Sequence, residues 1–294
     1  MSELKLLHNP DLSPPEYPWT KVITAHGSWF DLRLRETWEY RELVLLLLYR
    51  QVVQTSRQTV LGPLWWLFQP LLLCFVYITI FVFIAKVSTN GIPPLLFFLS
   101  SLTLWFFFNN IFNAATGIFS SSMSICGKVY VPRMVVYLSG VFHSLVQYAV
   151  QLLFLACCVA YYSYNNPSIS FHSSMLLSLL IIPYVIVMAT GTGLILASLT
   201  YRYRDILLVI APSMRMLRYF SAVMIPMSMI PAEYRLLFIW NPMVPVMEMF
   251  RWSLFGVGMI DSLFIVVSVL ITLTCLIVGI IRFSIVNRVC MDAL

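Results

Sequence analysis

The chain has 294 residues, of which 60% are hydrophobic and only 10% charged, against roughly 25% charged in soluble domains. So little charge cannot cover the surface of a soluble domain of this size, which leaves an integral membrane protein. The net charge of +6 does not indicate a nucleic-acid partner, because the basic residues are scattered at the ends of apolar runs, the pattern of membrane orientation.

Residues 1–28 are Pro-rich, with Pro10, Pro14, Pro15 and Pro18, and their first 20 residues contain no apolar core. They read as an untranslocated cytosolic segment, not a cleavable signal. Residues 29–63 form an interfacial amphipathic helix region. Within 29–54, Leu32, Leu34, Trp38, Leu43, Leu46 and Leu47 recur at loosely helical spacing, while Arg33, Arg35, Glu36, Glu39, Arg41 and Glu42 supply a polar side. The apolar stretch 43–48 is too short to span a bilayer, which takes about 20 residues. One or two helices on the membrane surface are therefore expected; a packed cytosolic helix is the alternative.

Residues 57–70, RQTVLGPLWWLFQP, mark the change from cytosol to membrane. The ring of Pro63 suits the first turn of a helix, and Gly62 accommodates the bend before it. Trp65 and Trp66 sit where amphipathic rings anchor a span at the water–lipid boundary.

Six apolar runs are long enough to cross, at about 64–85, 94–119, 135–162, 174–199, 206–225 and 262–283. The expected fold is an all-α integral membrane protein with six transmembrane helices, occupying 64–294. Six spans place both termini in one compartment. Lys5, Lys21, Arg33, Arg35, Arg41, Arg50, Arg57, Lys128, Arg133, Arg202, Arg204, Arg282 and Arg288 fall on that side, which makes it cytoplasmic by the positive-inside rule.

Arg215 and Arg218 lie inside the fifth run, three apart and on one helix face. Either they line a conduit or meet a partner, or the fifth span is displaced and they sit in an interface. The connection 226–261 is cut by Pro226, Pro231, Pro242 and Pro245, with short helices at 233–240 and 246–255. These are too apolar for a solvated loop, so a re-entrant hairpin before the last span fits better.

Catalytic and metal constellations are not found. His8, His26, His143 and His172 have no carboxylate or cysteine at ligand spacing, and no GxSxG, HExxH or CxxC occurs. Gly127-Lys128 lacks the spacing of a phosphate-binding loop, so any ATP hydrolysis belongs to another chain. The six cysteines read as small apolar residues in the interior. Aromatic clusters at 105–108 and 161–164 read first as membrane belts, and also offer faces on which sugar rings stack.

Four blocks in order carry a family resemblance: 58–70 (QTVLGPLWWLFQP), 127–133 (GKVYVPR), 201–205 (YRYRD) and 241–256 (NPMVPVMEMFRWSLFG). With them the chain resembles the membrane (permease) subunit of polysaccharide and polyol-phosphate ABC exporters, of the O-antigen and teichoic-acid type, across about 40–290. The resemblance implies a homodimer bound to two copies of a separate ABC ATPase, with ATP and Mg on that partner and no cofactor here. It also implies a lipid-linked glycan substrate, contact with membrane lipids, and a place in the bacterial cytoplasmic (inner) membrane.

The same resemblance implies a coupling helix at about 120–133 that touches the ATPase through Lys128, Tyr130 and Arg133. Outer-face gate helices are implied at about 233–255, with Trp240, Phe250, Arg251 and Trp252. The expected substrate pathway involves Arg50, Arg57, Trp105, Phe106, Tyr161, Arg215 and Arg218. Arg50 and Arg57 stand where a lipid diphosphate would arrive, although positive-inside anchoring explains them as well. The fifth span of the family is usually apolar where Arg215 and Arg218 stand, so a substrate with phosphate or carboxylate groups is expected. A membrane enzyme acting on lipid-linked sugars and a secondary transporter are disfavoured for want of grouped acidic residues and an inverted repeat. An ABC exporter of teichoic acid, of a capsular polymer, or of a drug or lipid with the same fold is the alternative.

Overall fold

The computed structural model describes residues 34–57, 61–121, 131–165, 174–203 and 205–292. Every regular element among them is helical. Two helices, α1 (Leu34–Glu39) and α2 (Arg41–Arg57), come first. A 3₁₀ turn at Gly62–Leu64 then leads into α3 (Trp65–Tyr77), which continues as a π-helix over Ile78–Ile84. Next come α4 (Pro94–Thr116), α5 (Arg133–Asn165), α6 (Met175–Arg202) and α7 (Ile206–Tyr219). The short helices α8 (Ala232–Phe238) and α9 (Met243–Phe255) precede α10 (Ser262–Asp292).

The turn before α3 forms as its sequence dictates. Gly62 adopts φ +52, a left-handed conformation open to glycine at little cost, and Pro63 occupies the first turn. The two tryptophans separate. Trp65 is exposed, whereas Trp66 is buried edge-on to His143, and its carbonyl accepts a 2.9 Å hydrogen bond from Gln151 Nε2. On α2, Val44 and Leu47 pack against Val135 and Val136 of α5, and Gln51 Nε2 donates to Ser139 Oγ at 3.2 Å. The opposite side of α2 leaves Leu45, Leu46 and Tyr49 exposed, as Trp38 is on α1.

Among the described residues, five helices are long and apolar enough to cross a membrane: Gly62–Ile84, Pro94–Thr116, Arg133–Asn165, Met175–Arg202 and Ser262–Arg288. They correspond to five of the six expected runs. The most apolar is the last, yet it is among the least buried, with Leu263, Val266, Leu270, Leu273 and Ile277 exposed. In water such a face would expose an aggregation-prone patch; in lipid it costs nothing.

The fifth run behaves differently from the expected span over 206–225. Its helix, α7, stops at Tyr219 after 14 residues. At 1.5 Å per residue that is about 21 Å, short of a hydrocarbon core about 30 Å thick. Residues 220–225 turn away instead, with Ala222 at φ +53.

The centre of the molecule is α4, buried on nearly every side by α3, α5, α6 and α9. Three of its hydroxyls turn back onto the helix: Ser100 Oγ and Ser101 Oγ donate to the Phe97 carbonyl and Thr116 Oγ1 to that of Phe112, whereas the buried Thr103 hydroxyl has no hydrogen-bond partner. The helix pairs beside it depend on small residues. A Cβ on Gly191 would lie 2.6 Å from the Leu276 backbone nitrogen, and one on Gly193 would lie 2.5 Å from Ala115 Cβ. Thus α6 approaches α10 through one glycine and α4 through the other, the close contact that small residues permit between membrane helices. The cysteines are not uniformly internal, since Cys74 is buried but Cys157 is exposed.

Candidate functional site

Because α7 is short, it stands against the bundle through few side chains; only Ile210 and Met214, one turn apart, are buried. A cleft opens on each side of it. The first, of about 350 Å³, lies between α3, α4 and α7. Each helix contributes residues at one-turn spacing: Gln69 and Leu73 from α3, Trp105, Asn109 and Asn113 from α4, and Arg215 and Arg218 from α7. Phe106, Ala211 and Met214 complete the wall, and among the described residues no carboxylate lines it. Arg218 lies over the Tyr77 ring at 5.7 Å, with its Nε buried and without a hydrogen-bond acceptor. Arg215 is exposed. Two guanidinium groups one turn apart, with no counter-charge on the cleft wall, make an electropositive site edged by carboxamides and aromatic carbon.

On the other side of α7 lies a larger cleft of about 610 Å³ between α4, α6 and the α8–α9 connection. Its wall is mostly apolar, with Phe108, Phe112, Met188, Leu217, Trp240 and Met243. Met214 borders both clefts.

The break that keeps α7 short is held from a distance. Asn241 Nδ2 donates to the Phe220 carbonyl and to Ser221 Oγ, both at 2.9 Å, while its Oδ1 accepts from Met243 N at 3.0 Å. Arg251, only 1% exposed, donates to the Ala222 carbonyl at 2.9 Å and to Glu248 Oε1 at 2.5 Å, and covers the Phe97 ring at 4.6 Å. Glu248 accepts backbone N–H groups from Met227 and Met259, each at 3.0 Å. One buried ion pair thereby ties α9 to the end of α7, to α4 and to the entry of α10. Leaving any member unpaired would strand a charge in the interior.

Four of the seven expected pathway residues meet in the first cleft: Trp105, Phe106, Arg215 and Arg218. The others lie elsewhere. Arg50 and Arg57 are exposed on α2, and Tyr161 is exposed near the end of α5, about 42 Å along that helix from Arg133. Of the expected gate residues, Trp240 is 75% exposed at the second cleft and Trp252 is half-buried. Phe250 and Arg251 are fully enclosed, and Arg251 serves as an internal tie. Lys128 and Tyr130 fall outside the described residues. Arg133 donates to Asn287 Oδ1 at 2.6 Å and lies over the Phe119 ring, linking the start of α5 to the last turns of α10. Sequence reasoning passed over Gln69, Asn109, Asn113 and Asn241. The recurrence of Asn109 and Asn113 at i,i+4 inside an apolar run was the available signal.

Apolar helices of spanning length packed around a partly polar cleft are what a multi-pass membrane protein requires. Residues 42–255 match the ABC-2 type transporter family. The chain belongs to that family. As an ABC-2 type transporter it is a membrane subunit whose energy comes from an ABC ATPase on a partner chain. Two curated relatives are similar to it. The O-antigen export system permease protein RfbA of Myxococcus xanthus is 24% identical over 221 residues, covering 74% of this chain and 82% of the relative. The polysialic acid transport protein KpsM of Escherichia coli is 24% identical over 192 residues, covering 65% and 72%. Within this ABC-2 chain, the matched region contains every residue named on the walls of both clefts.

Proposed function

We propose that this chain is the membrane subunit of an ABC exporter that carries an O-antigen-like polysaccharide, linked to undecaprenyl diphosphate, across the bacterial inner membrane. The observation that carries the reading is the first cleft, where aromatic carbon, carboxamides and guanidinium groups converge inside a membrane bundle. Aromatic faces suit the apolar C–H faces of sugars, and the amides suit their hydroxyls. The two export relatives agree in cargo class, both being transporters of bacterial surface glycans by name.

In this reading two copies of the chain pair with two ATPase subunits, and both termini are cytoplasmic. The segment around 120–133 takes the push from the ATPase. The exposed apolar side of α2 lies in the cytosolic interface, where Arg50 and Arg57 meet the carrier diphosphate. The α8–α9 hairpin enters the outer leaflet and closes the path. The chain itself contributes no catalytic group.

A second reading has its own observation. The apolar cleft bordered by Trp240 and Phe112 would suit a drug or lipid cargo. Deleting the gene in its host separates the two. Glycan export predicts loss of a surface polysaccharide and its accumulation on the carrier inside, restored by the chain together with its ATPase. An unchanged surface glycan with altered sensitivity to apolar drugs would overturn glycan export in favour of the second reading.

A further inference from the structure

The cleft between α3, α4 and α7 has a chemical bias that sugar binding alone does not require. Neutral glycans are bound by aromatic faces, amides and carboxylates, and carboxylates are the strongest acceptors for sugar hydroxyls. Here the carboxylates are absent and two guanidinium groups take their place. Nor does the cleft, among the described residues, give the arginines a carboxylate partner. The buried pair elsewhere in the chain shows how this protein satisfies an arginine it uses for structure: Arg251 has Glu248, a carbonyl and an aromatic ring around it. Arg218 has the Tyr77 ring but an unpartnered Nε, and Arg215 lines the cleft with its side chain exposed. A guanidinium kept in a membrane bundle without a counter-charge is a binding group awaiting its anion.

We propose that this cleft is an anion subsite for the transported molecule, gripping a phosphate or carboxylate between Arg215 and Arg218. Asn109, Asn113 and Gln69 take the hydroxyls of the adjoining sugar, and Trp105 with Phe106 supports its apolar face. The one-turn repeat of Arg215 and Arg218 runs beside that of Asn109 and Asn113, so anion and hydroxyl contacts advance together along the path. The anion has two possible sources with the same chemistry: an acidic group in the polymer, or the diphosphate of its carrier. The proposal rests on the glycan-export reading.

The test uses the purified full chain in lipid nanodiscs, with binding followed by calorimetry. Three probes are compared: an oligoglucuronide, the same oligosaccharide with every carboxyl reduced to the alcohol, and farnesyl diphosphate. The expected result is that at least one anionic probe binds about ten-fold or more tightly than the neutral oligosaccharide. That preference disappears in the Arg215→Gln/Arg218→Gln protein and persists in the Arg215→Lys/Arg218→Lys protein, which also controls for folding. Preference for the oligoglucuronide assigns the anion to the polymer; preference for farnesyl diphosphate alone assigns it to the carrier. Equal binding of acidic and neutral probes overturns the proposal, as does an anion preference that survives the glutamine pair. The measurement needs no export, so a gene deletion that spares the surface glycan would remove the export reading while leaving this result standing.

Discussion

Helices α6 and α7 follow one another in the chain and are held in opposite ways. Gly191 and Gly193 let α6 press its backbone against α10 and α4, while α7 touches the bundle chiefly through Ile210 and Met214 and has a cleft on either flank. The first is fixed by close backbone contact at its glycines; the second is fixed at its end, by Asn241 just before α9 and Arg251 on it. Membrane helices gain little from hiding apolar surface from lipid, so close packing or polar ties must hold them. The protein uses the first for its scaffold and the second between its two clefts. A helix held mainly at one end leaves room beside it without weakening the rest.

The strongest way to break this contrast is to cut the tie. Glu248→Gln leaves Arg251 charged and buried, and should cost about 3–5 kcal/mol, enough to lower the yield of folded protein sharply. The double variant Glu248→Gln/Arg251→Met should recover much of that loss, because it removes the stranded charge as well. Thermal unfolding in detergent across the four proteins of the cycle measures both effects.

The scaffold should respond next. Gly191→Ala places a Cβ against the Leu276 backbone, and the forced separation of α6 from α10 should cost about 1–3 kcal/mol by the same measurement. Loss of less than a few tenths would show that the helix pair is not set by backbone contact.

A gain is expected at the break itself. Ala222 holds φ +53, which an L-residue adopts only under strain, so Ala222→Gly should stabilise by up to about 1 kcal/mol despite the more flexible unfolded chain. A clear loss of stability would mean that the Ala222 methyl packs more strongly than its backbone is strained.

The smallest stability effect belongs to the cleft. Arg215→Gln/Arg218→Gln should leave stability within about 1 kcal/mol, since the one tie lost is the place of Arg218 over the Tyr77 ring. The same variant should markedly reduce export of the surface glycan in cells. A large drop in melting temperature would reclassify the two arginines as structural and remove the contrast with Arg251.

Most of the architecture was legible in the sequence because lipid reports hydrophobicity directly. Five apolar runs became helices of spanning length, and Gly62 and Pro63 form the turn their chemistry called for. The run 206–225 is the exception, for a physical reason. Its end is drawn aside by Asn241 and Arg251, which lie 20 to 30 residues further on, and no local hydropathy pattern contains that information. The cleft was half legible. Arg215 and Arg218 stand out as intramembrane charges at helical spacing, and Trp105 and Phe106 meet them. Tyr161 had the same aromatic signature and lies far away, because composition near a span end does not say which helices are neighbours. Arg251 was visible as a charge, but only the fold shows that its neighbour Glu248 turns it inward.

Met214 stands between the two clefts, and that position has a thermodynamic consequence. Space on one side of α7 is taken from the other, so the two clefts compete for a single allowance of volume. A ligand wedged among Phe112, Leu217 and Trp240 would push α7 toward α3 and loosen the grip of the polar cleft on its anion. Linkage makes the effect reciprocal: cargo in the polar cleft would expel the apolar ligand by the same factor. An apolar inhibitor found for this protein need not resemble its cargo at all.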